Sequence, residues 1–137
     1  MAARVNGLHH VTSGVWGAQE DIDFFTQVVG QRMIKQTILF DGTVSFYHLY
    51  YANANAEVGS VSTTFPFSKM GIAGRRGSGQ VNTTGYSVPL GSLKFWKEHF
   101  IDHGQVVLIP ELVDVPQEFR LQFFVGHLVL LYGAKTM

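Results

Sequence analysis

Apolar and polar positions change period along the chain, and then the same order starts again. GLHHVTS (7–13) alternates as a strand does. AQEDIDFFTQVVG follows, with Ile22, Phe25, Val28 and Val29 at helical spacing and Gly30 as a stop. Three extended stretches come next, 32–40, 43–52 and 59–67. Asp41-Gly42 between the first two is a hairpin signal, and NANAE between the last two is a polar loop. A glycine-rich connector, KMGIAGRRGSG, leads into QVNTTGYSV (80–88), which again reads as a strand. SLKFWKEHFIDHG (92–104) reads as a helix, with Ser92 as N-cap and Gly104 as stop. QVVLI (105–109), 119–125 and 127–133 complete a second βαβββ series.

The halves can be laid on each other. GLHHVT against GQVNTT places Leu8 on Val81, His9 on Asn82 and His10 on Thr83, and DFF (23–25) falls near KFW (94–96). One helix and four strands are too few to close a core alone, so two such units are expected together. The expected class is α+β: two βαβββ units forming a cupped eight-strand mixed sheet with outer helices. Unit one spans about 7–67, the linker 68–79, and unit two about 80–134. The concave face is the natural place for a ligand.

Composition narrows the partners. Ten basic and ten acidic residues give zero net charge, so neither nucleic acid nor an acidic membrane surface is expected as a partner. Hydrophobic content of 46% suits a packed globular chain. With no cysteine, disulfides, thiolate ligands and cysteine nucleophiles are excluded. No apolar run reaches the ~18 residues of a membrane span, and the N-terminus has no apolar core of a signal peptide. The expected location is the cytoplasm.

The paired βαβββ plan with LHHVT on its first strand resembles the vicinal oxygen chelate superfamily, which includes glyoxalase I, extradiol dioxygenases and antibiotic-resistance binding proteins. GLHHVT, AQEDIDFFTQVVGQRMIKQTILFDGT, FYHLYYANANAEVGSVSTTFPF and GRRGSGQ are similar to the N-terminal domain of iron(II)-dependent dioxygenases that cleave hydroquinone and chlorohydroquinones. The resemblance runs from about Gly7 to Gly104 and fades beyond. It implies iron(II) held by two histidines and a glutamate, leaving positions open for a diolate and dioxygen. The first of those histidines is His10. In full-length relatives the other two ligands come from a second domain. Here Thr83 stands where an internal second histidine would fall, HLVLLY carries no carboxylate, and SVSTTF offers only hydroxyls.

His10 is therefore read in two ways, as a metal ligand or as a histidine bonded to a backbone carbonyl. His9, its strand neighbour, is expected on the opposite face. The cup candidates are His10, Thr12, His48, Tyr50 and Thr83. Alternation puts Phe46, His48 and Tyr50 on one face of their strand and Tyr47, Leu49 and Tyr51 on the other. His99 and His103, four apart on the second helix, have a metal-gripping spacing, but a polar-face histidine and a helix-end histidine explain them as well. The side that His127 takes is open. Arg75 and Arg76 beside glycines lack the P-loop pattern and read as linker. Glu57 and Asp41 fall in loops, and Glu111, Asp114 and Glu118 fall in a connector; a loop carboxylate as a metal ligand stays open.

Three functions follow as expectations. One is a binding protein for a small aromatic or apolar molecule, without a complete metal site in this chain. Another is an iron(II) dioxygenase completed by a second domain or by a homodimer. The third is an assembly module whose cup is filled by side chains. The cofactor is iron(II) or none.

Overall fold

The computed structural model describes residues 4–75, 77–79, 83–89, 91–105, 107–108, 120–125 and 127–134. It divides into two compact units, Met1–Arg76 and Gly77–Met137. The class is α+β, with one four-stranded mixed sheet in each unit.

The first unit contains β1 (His10–Val15), α1 (Ala18–Asp23), β2 (Arg32–Phe40), β3 (Ser45–Ala52) and β4 (Val61–Pro66). Its strand order is β1-β4-β3-β2, with β1 parallel to β4 and the other pairs antiparallel. The helix expected to run to Gly30 is α-helical only as far as Asp23. It then widens into a π-turn over Phe24–Val28, in which the Val29 N–H reaches the Phe24 carbonyl. Thr26 bonds the Ile22 carbonyl with its hydroxyl at 2.6 Å, a side-chain competitor that bends helices. The hairpin between β2 and β3 is longer than Asp41-Gly42 alone. The Asp41 carboxylate accepts the Val44 and Thr43 N–H groups, so Thr43 and Val44 stay off the ladder. The same bonds, Val44 first, hold the Asp41 carboxyl below its usual pKa.

Sheet faces follow from register. Leu49 lies opposite Thr64, and Tyr51 opposite Ser62; these four residues are buried. This is the side that α1 and the π-turn cover. The Phe25 ring stacks on Tyr51 at 4.4 Å, and the Asp21 carboxylate accepts the Tyr51 and Thr64 hydroxyls at 2.7 and 2.5 Å. Burial first, then the bond and charge of Asp21, push the Tyr51 hydroxyl far above its usual pKa.

The second unit repeats the plan with β5 (Thr83–Pro89), α2 (Leu93–Asp102), β6 (Val107–Leu108), β7 (Arg120–Val125) and β8 (His127–Ala134), in the order β5-β8-β7-β6. His10 and Thr83 open β1 and β5, as the overlay of the halves expects. Phe100 is buried against Trp96, with ring centroids 5.4 Å apart. Ser92 occupies the N-cap position, but its hydroxyl bonds backward to the Pro89 carbonyl at 2.7 Å and caps no helical N–H. Gly104 ends the helix at φ +69°. Among the described residues no helix is long and apolar enough to cross a membrane.

Candidate functional site

The open face of the first sheet is built by one row of register. Thr12 pairs with Thr63, Thr63 with Tyr50, and Tyr50 with Lys35. On the same face, His10 and His48 lie one step from this row in opposite directions, His10 beside Val61 and His48 beside Thr37. Thus His10, Thr12, His48 and Tyr50 come together on the side away from α1, and Thr63, Phe65, Phe46 and Lys35 join them. Alternation already places Phe46 with His48 and Tyr50; sequence reading missed Thr63, Phe65 and Lys35, because only pairing register shows which β4 and β2 positions share a face with β3. Thr83 belongs to the other unit, where it pairs with Leu128.

The face is aromatic with polar edges. His48 lies 4.1 Å from the Phe65 ring and 4.1 Å from the Tyr50 ring, centroid to centroid. Phe46 meets Phe65 edge-on at 5.5 Å. Thr12 and Thr63 share a hydrogen bond of 2.8 Å, and the Lys35 ammonium lies 4.9 Å from the Tyr50 ring centroid. The Tyr50 hydroxyl and His48 Nδ1 are 2.8 Å apart, whereas His48 Nε2 is buried with no hydrogen-bond partner among the described residues. Burial first, then the charges of Lys35 and His10, lower the His48 pKa from its usual 6.5.

His9 corrects the alternation argument. It precedes β1, and its carbonyl rather than its ring enters the sheet's bonding, accepting the Gly59 N–H at 3.0 Å. Its ring is free of strand geometry and turns onto His10, with the two Nδ1 atoms 2.9 Å apart and the rings edge-to-face. One Nδ1 donates and the other accepts. The first strand thus presents a pair of imidazoles.

Two imidazoles do not make the implied ligand set. Among the described residues no group of three His, Asp or Glu side chains converges as a metal site. The Glu57 carboxylate is engaged by the Asn53 amide at 2.6 Å. The described residues therefore do not fit a two-histidine, one-carboxylate iron centre. Glu111, Asp114 and Glu118 lie outside the described residues.

The remaining candidates have local explanations. His103 Nδ1 donates to the His99 carbonyl at 2.7 Å, at the C-terminal end of α2. His99 is not on a polar face: Phe95, Trp96, Phe100 and His103 surround its ring. His127 pairs with Val125 at the start of β8. Arg75 lies in the exposed connector, and Arg76 is outside the described residues. A recess of about 180 Å³ is lined in part by Ala18, Ile38, Phe46, Tyr47 and Met70, and none of His10, Thr12, His48 and Tyr50 lines it.

Comparison with known proteins places this architecture. No protein-family model matches the chain. It is 42% identical over 104 residues to a chlorohydroquinone/hydroquinone 1,2-dioxygenase of Sphingobium indicum, matching 76% of this chain and 32% of that protein. It is 43% identical over 101 residues to a Bacillus subtilis protein named as a ring-cleaving dioxygenase, MhqE, covering 74% and 33% of the two chains. A crystal structure from B. subtilis, described as a dioxygenase, superposes with a TM-score of 0.80 at 31% identity, over 98% of this chain and 42% of that one. A glyoxalase/bleomycin resistance protein/dioxygenase domain from Frankia superposes at 0.73 with 12% identity, over 96% and 94% of the chains, which shows the fold alone.

The chain has the fold of the glyoxalase/bleomycin resistance protein/dioxygenase domains. Its sequence is related to the ring-cleaving hydroquinone dioxygenases, and it spans about a third of the length of the curated relatives it matches.

Proposed function

We propose that this chain is a small-molecule-binding module of the vicinal oxygen chelate superfamily. It takes a small aromatic ring on the open face of β1–β4 and has no complete metal site of its own. One observation carries the reading: one face of the first sheet is sealed by α1, while the other presents aromatic rings beside His10, Thr12, His48 and Tyr50. Such a surface suits a flat ring with polar substituents, through stacking and edge contacts.

In this reading, iron(II) ring cleavage belongs to an assembly, either with a second domain or with a second copy of the chain in a homodimer. His10 would contribute one ligand, and the iron would supply chelation of a diol and activation of dioxygen. The relation to dioxygenases of which this chain matches only about a third supports that extension. One imidazole, or the His9–His10 pair, holds iron(II) weakly against water. The soluble cytoplasm is the proposed compartment.

The experiment combines anaerobic iron(II) loading, metal analysis, native mass and calorimetric titration with hydroquinone. The expected result is a folded chain that binds hydroquinone and retains iron well below one per chain. Stoichiometric iron lost in His10→Ala would overturn the incomplete-site reading in favour of a dioxygenase assembled by the chain itself. A folded chain that binds no aromatic ring would leave the filled, structural module.

A further inference from the structure

Among the described residues His48 Nε2 is buried with no hydrogen-bond partner, whereas most buried polar atoms find one. It is not free to turn toward one. Nδ1 is engaged by the Tyr50 hydroxyl at 2.8 Å, and the imidazole lies between the Phe65 and Tyr50 rings, tilted 30° and 38° from them. The ring is therefore held in one orientation, with one nitrogen satisfied and one waiting. The groups facing it are Lys35 from β2, His10 from β1, and uncharged Thr63 and Phe65 from β4.

We infer that His48, oriented by Tyr50, makes the open face select a hydroxylated aromatic ring over one whose hydroxyls are blocked. The inference rests on the aromatic-binding reading above and names a specificity residue for it. A hydroxyl both donates and accepts, so it serves Nε2 in either tautomer. Selection follows with Nδ1 protonated and donating to the Tyr50 oxygen: the ring hydroxyl then donates to Nε2, which a methoxy oxygen cannot do. A site with a buried polar atom to satisfy rejects a ligand that leaves it bare more strongly than an apolar pocket rejects extra bulk. Phe65, half-buried, is the side chain an entering ring would displace, while Tyr50 stays on Nδ1.

The test is anaerobic calorimetry on the 137-residue chain, with hydroquinone and 1,4-dimethoxybenzene as paired probes. Wild type is expected to prefer hydroquinone by ~10-fold or more. His48→Phe should weaken hydroquinone binding to the level of 1,4-dimethoxybenzene and so remove the preference. His48→Gln, whose amide reaches near the Nε2 position, should restore part of it, and Tyr50→Phe should reduce it by releasing the imidazole. Near-UV circular dichroism establishes that each variant is folded. Equal binding of both probes to wild type, or a preference that survives in folded His48→Phe, overturns the selection by His48 while aromatic binding stands. Binding of neither probe overturns both.

Discussion

The Tyr51 hydroxyl donates to the Asp21 carboxylate at 2.7 Å, joining α1 to an inner strand of the first sheet. Thr64 donates to the same carboxylate from the neighbouring strand. Three elements thus meet at one buried acid. Asp21→Ala would leave two buried hydroxyls without this acceptor, and Tyr51→Phe would remove one charge-assisted bond. The expected losses in a urea melt are about 2–3 kcal/mol for Asp21→Ala and about 1.5–2 kcal/mol for Tyr51→Phe. A Tyr51→Phe melt indistinguishable from wild type would show that the bond adds nothing beyond ring packing.

Burial of the same hydroxyl, and then its bond to Asp21, make the fold less stable at alkaline pH. Tyr51 has its pKa raised above the ordinary 10.0, chiefly by burial and then by Asp21. Below pH 10 both folded and unfolded tyrosine are neutral, and the full stabilisation is present. Above pH 10 the unfolded chain releases this proton while the folded chain keeps it, so stability falls as pH rises. The alkaline unfolding midpoint of Tyr51→Phe should be less steeply pH-dependent than that of wild type. Parallel curves for the two proteins between pH 9.5 and 11.5 would sink the assignment.

Much of this architecture is legible in the chain because each half repeats the same order of periods. The spacing of β2 is read to the residue, and the offset that lays His10 on Thr83 matches the starts of β1 and β5. The misses have physical causes. His9 and His10 look like opposite-facing strand neighbours, but β4 begins pairing only at Val61, so His9 lies outside the ladder. Asp21 looks like one of several acids on an amphipathic helix; nothing local says that Tyr51, thirty residues on, will take it inside. Ser92 has the right residue type for a cap, yet its hydroxyl finds Pro89 first. The open face was half legible: alternation grouped His48 with Tyr50, but Thr63 and Phe65 entered only through register.

Gly59 is a tight position beside the imidazole pair. Its φ is +91°, a Cβ there would lie 3.2 Å from the Leu8 carbonyl oxygen, and its N–H holds the His9 carbonyl at 3.0 Å. Gly59→Ala combines left-handed strain with a close approach to backbone, and is expected to cost about 1–2 kcal/mol. It should also shift the His9 and His10 ring signals in nitrogen-15 NMR, because the carbonyl that anchors His9 moves. A destabilised variant with both ring signals unchanged would separate Gly59 from the pair.

His48 should titrate below the ordinary histidine value of 6.5, for burial, Lys35 and His10 all oppose its charged form. The sign for stability follows. Above pH 6.5 both states are neutral at this residue. Below it the unfolded chain takes up a proton that the folded chain resists, so stability is lost as pH falls. Lys35→Met removes one of the opposing charges and leaves the burial, so the His48 midpoint should rise toward 6.5 without reaching it. The cation over the Tyr50 ring is lost as well, but at an exposed edge this should change stability by less than about 1 kcal/mol. The measurement is the His48 ring proton shift followed by NMR across pH 4–8 in both proteins. A midpoint that stays still or falls in Lys35→Met would show that Lys35 does not act on the imidazole. The shift should also shrink in high salt in wild type, since an exposed ammonium is screened whereas burial is not.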